Sequence, residues 1–143
     1  MKRAMTLGLG FCLLILLIAG CQMKPSLSLL KIEEGAAPAA VQNFVHEQSG
    51  RNGVDLYSDG VHGDYLFLNA FNVEQGEKAA YFSEVTCEIV DETLNIYFSE
   101  NQTDYFNEKI NNKVIYKIVS TFKYNTIRVF RNGQEITFDV VGA

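Results

Sequence analysis

A chain of 143 residues has room for one domain, and its 12 basic and 17 acidic side chains leave a net charge of −5. That balance argues against a nucleic-acid-binding surface and against adsorption to an anionic membrane through charge alone. Two histidines, and the absence of any G-x-S-x-G, H-E-x-x-H or P-loop pattern, remove the common hydrolase, zinc-protease and nucleotide-binding signatures and point to no cofactor.

In chain order, the first element is a leader. Lys2 and Arg3 precede an uncharged stretch, residues 4–20, in which 7–18 is apolar except for Gly8 and Gly10. This is the layout of a secretory signal, and it is short of the ~20 apolar residues of a spanning helix. The stretch ends Leu17-Ile18-Ala19-Gly20-Cys21, which resembles the lipobox of bacterial lipoproteins. The resemblance implies cleavage between Gly20 and Cys21, a diacylglyceryl group on the Cys21 thiol, and fatty acylation (palmitate, for example) of the new amine. It implies a lipid-anchored protein on the extracytoplasmic face of the cell membrane. Each buried CH₂ contributes ~0.8 kcal/mol, so two or three acyl chains hold where one does not. Of the 12 basic residues, Lys2 and Arg3 leave with the leader, so ten remain against 17 acids and the side-chain charge falls to near −7. The lipid, rather than the protein's charge, is then the expected membrane contact.

The expected division is a signal peptide over 1–20, an anchor and tether over 21–40, and a single β-rich domain over 41–143. Both prolines, Pro25 and Pro38, fall in the tether, although Leu27, Leu29, Leu30 and Ile32 are more apolar than a free linker requires and suggest partial docking. Residues 39–47 place Val41, Phe44 and Val45 at helical spacing, and Ser49-Gly50 and Asn52-Gly53 end that helix. From Val54 the period becomes two. Val54 and Leu56, then Val85, Cys87 and Ile89, then Leu94, Ile96 and Phe98, then Val114, Tyr116 and Ile118 each alternate with other residues. Residues 65–71 form an apolar run suited to a buried strand. Asp91-Glu92-Thr93 predicts a turn, 103–111 a loop or a helical turn, and Asn132-Gly133 a hairpin between 127–131 and 134–140. The predicted fold is all-β, an antiparallel β-sandwich or small barrel of about six strands, with one short helix on its N-terminal side.

Chemistry is sparse. Asp59-Gly60-Val61-His62-Gly63-Asp64 offers Asp59, His62 and Asp64 as candidate metal ligands, or His62 as a base oriented by a carboxylate. The same glycines and acids suit a solvated turn. No EF-hand is possible, because Tyr57 and Leu66 fall where that loop needs side-chain oxygens. Cys87 could serve as a nucleophile beside His62, but its alternation with Val85 and Ile89 predicts a core position. With Cys12 in the leader and Cys21 lipidated, Cys87 has no disulfide partner. Asn101-Gln102-Thr103 matches a glycosylation sequon, which carries no meaning if the lipobox marks a bacterium. Lys109, Lys113, Lys117 and Lys123 could line a basic edge, blunting an unpaired strand or accepting a partner's strand.

In size and layout the chain resembles the small lipoproteins of Gram-positive bacteria. Its Val-Ile-Tyr-Lys-Ile strand and closing hairpin are also similar to an accessory-subunit domain of an exported protease complex. The Gly-Gly-Tyr turn of that group is absent, so no residue roles transfer. The expected function is a non-enzymatic protein- or peptide-binding module, held at the membrane by its lipid and facing an envelope protein, with no nucleic acid. The alternatives are an accessory factor for exported proteins (protease subunit, inhibitor or folding helper), or a metal or hydrolytic site around His62. Tyr97 and Tyr105, if exposed, would suit an interface.

Overall fold

A computed structural model describes residues 26–105 and 109–143. The leader, Gly20 and Cys21 lie outside the described residues, as do 106–108 of the predicted 103–111 loop. The described chain forms β1 (Leu27–Ile32), a short 3-10 turn (Glu34–Ala36), α1 (Ala39–Gln48), β2 (Gly53–Ser58), β3 (Asp64–Asn69), β4 (Ala79–Val90), β5 (Thr93–Thr103), β6 (Lys113–Ser120), β7 (Thr126–Arg131), β8 (Gln134–Ile136) and β9 (Val140–Gly142). Two sheets, ordered β1-β6-β3-β2-β9 and β4-β5-β7-β8, face each other as an open sandwich rather than a closed barrel. The predicted β class and sandwich hold, with more strands than the predicted six.

Neither sheet is purely antiparallel. The β5–β7 and β2–β9 pairs are parallel. The reason is topological. After β5 the chain crosses to the five-stranded sheet, runs back as β6, and re-enters beside β5 at the end where β5 began. The predicted closing strand over 134–140 likewise splits. Ile136 still pairs with Val129, but Asp139 and Val140 have moved across the sandwich to β2. There the Asp139 carboxylate accepts from the Val54 amide at 2.8 Å.

The core has two parts, one on each face of the five-stranded sheet. Leu56, Leu66, Leu68, Phe82, Leu94, Ile96, Phe98 and Val129 fill the space between the sheets. Val41, Phe44 and Val45 of α1 cover the other face at Tyr57, Tyr65, Phe67 and Ile115. This explains the unbroken apolar run in β3: Leu66 and Leu68 point to one core, Tyr65 and Phe67 to the other. Each such side chain, fully buried, contributes about 1.5–3 kcal/mol.

The expected tether at 21–40 is ordered over much of its length. Leu27 to Ile32 pair residue by residue with Ser120 to Ile115 of β6. Leu27 and Leu29 pack on the sandwich core, and Ile32 packs under the helical layer. The excess of leucine in that segment is therefore strand and core.

Two turns follow backbone chemistry closely. Asn132 and Gly133 have φ of 51° and 80°, as a type I′ hairpin turn requires. Asp91 and Glu92 adopt φ of 48° and 59° without a glycine, and Asn125 secures that turn by donating its amide N–H to the Glu92 carbonyl at 2.8 Å. In β4, a bulge at Glu84 (φ 52°) inserts one extra residue between Ser83 and Thr86. It resets the inward phase from Ala80 and Phe82 to Val85, Cys87 and Ile89. The first half of β4 is therefore invisible to a search for unbroken alternation.

Candidate functional site

The β2–β3 connection, 59–63, is the stretch that offers most chemistry in the sequence. Gly60 and Gly63 take φ of 70° and 92°, which lets five residues reverse the chain. Asp59 organises the turn: Oδ1 accepts the amides of Val61 at 2.8 Å and His62 at 2.7 Å. Its Oδ2 accepts the Tyr57 hydroxyl at 2.8 Å and the His62 Nδ1–H. The His62 side-chain bond, followed by the His62 amide, Tyr57 and Val61, holds the Asp59 carboxyl well below the usual aspartate range despite its partial desolvation. The same carboxylate pushes the Tyr57 hydroxyl up.

Asp64 does not join this pair. It accepts the hydroxyls of Ser58 and Tyr124. Burial, and then the Asp64 bond, raise the Tyr124 hydroxyl well above its ordinary value. The predicted trio is thus divided into an Asp59–His62 dyad and an Asp64–Tyr124 pair. Among the described residues no cluster of His, Cys, Asp and Glu is arranged to hold a metal. Asp59 can orient the imidazole, but the nearby Ser58 hydroxyl is engaged with Asp64 and Cys87 lies partly buried against the core. Burial raises the Cys87 thiol, which disfavours the thiolate. The arrangement suits a rigid turn.

A depressed carboxyl has a definite consequence in acid. The folded Asp59 binds its proton at lower pH than the unfolded one. Its stabilising contribution is therefore present above the ordinary aspartate pKa and is lost as pH falls through the lowered value. In an NMR titration Asp59 is expected to stay ionised at pH about 3, where a free aspartate is mostly protonated. His62→Ala should move its midpoint back toward the ordinary value. An unmoved midpoint would remove His62 as the main cause.

Of the four lysines expected to line a basic edge, Lys113 and Lys117 do not lie on one. β6 lies between β1 and β3, so it is an interior strand with no free edge to blunt or extend. Lys113 bonds Glu34 at 3.1 Å and lies over the Phe67 ring, while Lys117 lies over the Tyr65 ring. Their charged ends cap aromatic rings of the helical layer.

A polar cluster at the end of α1 was not apparent from the sequence. Asp55, between the core residues Val54 and Leu56, is fully buried. Its Oδ1 accepts from Arg51 at 2.5 Å and from the Val140 amide at 3.0 Å, and its Oδ2 has no partner. Asn69 donates to the Arg51 carbonyl at 2.6 Å. Burial raises the Asp55 carboxyl, against the lowering effect of Arg51. The cluster fastens β9 and the end of α1 to β2. The sequence signal was present but ambiguous: an Asn at the end of an apolar strand, and an Asp four residues after an Arg.

On the outer face of the four-stranded sheet, Tyr97 stacks on Phe130 with ring centroids 4.8 Å apart. Tyr97 donates to Glu88 at 2.7 Å, and Arg128 lies over Phe130 while pairing with Glu135. Tyr97 is half-buried by these neighbours, whereas Tyr105 is 79% exposed. Tyr105, Phe71 and Val73 lie on the connections at one end of the sandwich. Val61 and Phe122 lie at the other end, where β1 begins.

Among the described residues no helix is long and apolar enough to cross a membrane. Comparison with protein-family models, with curated proteins and with solved structures returned no match for this chain.

Proposed function

We propose that this protein is a lipid-anchored lipoprotein of the extracytoplasmic membrane face whose sandwich is a non-enzymatic module for a protein or peptide partner. The observation that carries the reading is the order of Lys2-Arg3, the apolar run and Ile18-Ala19-Gly20-Cys21. Such an order delivers a cysteine to the lipidation machinery and leaves an acidic domain outside the cell.

A domain held at the β1 end presents its opposite end outward. That end exposes Tyr105, Phe71 and Val73, large apolar side chains of the kind that anchor protein interfaces. Loops on a rigid scaffold are common binding elements. The test is a photo-crosslinking residue at position 105 in the full-length protein in intact cells, with the same residue at Asn43 on the exposed side of α1 as control. A discrete protein adduct from position 105 and none from position 43 is expected. Equal, diffuse labelling at both would reject this face.

A further inference from the structure

We infer that the end of the sandwich where β1 begins rests directly on the bilayer surface, with Val61 and Phe122 as its interfacial contacts. The inference rests on lipidation at Cys21 and adds to it an orientation and a second membrane contact.

The first support is chain length. Between Cys21 and Ser26 there are five residue steps, which span at most ~18 Å when fully extended. Ser26 is not free to extend the leash. Its amide donates to the Thr121 hydroxyl at 2.8 Å, and its carbonyl accepts the Thr121 amide at 2.9 Å. The headgroup layer on each side of a bilayer is itself roughly 5–7 Å thick. A cysteine with its acyl chains in the membrane therefore keeps Ser26 within about 11–13 Å of the headgroup surface, and the hydrogen-bonded Thr121 and the end of the domain stay close to it.

The second support is what that end displays. Register places the β2–β3 and β6–β7 connections beside the start of β1: Leu27 pairs with Ser120, and Asp64 with Ile118. Val61 at the tip of the first is 82% exposed, and Phe122, next to Thr121, is 47% exposed. The Asp59 carboxylate fixes the Val61 turn, and the Ser120 hydroxyl accepts the Phe122 amide at 3.0 Å, so both apolar groups are held outward by bonded loops. An apolar aliphatic and an aromatic side chain at this position suit the headgroup–acyl boundary.

The acids at this end are held by partners within the domain. Asp59, Asp64 and Glu92 are hydrogen-bonded to His62, Tyr124 and Asn125, and the end stays acidic. A zwitterionic surface therefore fits the end better than a strongly anionic one.

The chain contains no tryptophan, so single reporters can be introduced cleanly. Full-length lipidated V61W, F122W and Y105W are each reconstituted into phosphatidylcholine vesicles with or without bromine on the acyl chains, and vesicle association is checked by flotation. Brominated lipid is expected to quench V61W and F122W and to leave Y105W unchanged. Flotation without quenching at either 61 or 122 overturns the orientation while leaving the anchor intact. Quenching at 105 alone reverses it. Failure of the protein to float removes the anchor and, with it, this inference.

Discussion

A chain that begins at Glu33, without β1, is expected to lose its cooperative unfolding transition, whereas one that begins at Ser26 should keep it. Loss of β1 removes a six-residue ladder with β6 and the packing of Leu27, Leu29 and Ile32 on both cores. Full burial of each such side chain contributes about 1.5–3 kcal/mol, and these three are partly buried, so several kcal/mol are at stake in a domain whose total is of order 5–15 kcal/mol. β6 would also become an uncovered strand carrying Val114, Ile115 and Ile118, prone to pair with other molecules. Thermal unfolding followed by far-UV circular dichroism distinguishes the cases. An unchanged transition in the shorter chain would mean that 27–32 is a dispensable tether after all.

That segment shows where the sequence was legible and where it was not. Alternation identified β2, the second half of β4, β5 and β6 because one face of each meets the inter-sheet core. Asn132-Gly133 marked its hairpin because few other pairs adopt two positive φ angles at low cost. The unbroken run in β3 correctly signalled burial on both faces. β1 was obscured by its position beside a leader and between two prolines, a context that reads as linker. The parallel pairs were not readable, since alternation carries no direction. The burial of Asp55 was not readable, since alternation takes no account of a helix packed on the second face of the sheet. At the candidate site, Asp59 and His62 do meet, as the motif suggested, but Asp64 turns to Tyr124, a partner 60 residues away that local spacing cannot supply.

The second large effect concerns location. Cys21→Ser should abolish retention through the lipid: the thiol that would carry diacylglycerol is gone, and the acidic domain has little affinity of its own for an anionic surface. Acyl chains act cumulatively at ~0.8 kcal/mol per buried CH₂, so loss of the diacylglyceryl group removes most of the anchoring energy, and Val61 and Phe122 alone are too small to replace it. The variant is expected either to accumulate as the uncleaved precursor or to appear in the soluble envelope fraction. Normal cleavage with unchanged membrane retention would contradict an anchor at this cysteine.

The most direct measurement is the intact mass of the protein extracted from membranes in detergent, followed by fragmentation of its N-terminal peptide. A chain beginning at Cys21 and carrying a diacylglyceryl group on that residue, with or without a third acyl chain on its amine, is the expected result. An unlipidated chain, whether it begins at Met1 or at any other residue, would contradict the lipid anchor and the membrane-facing orientation that depends on it.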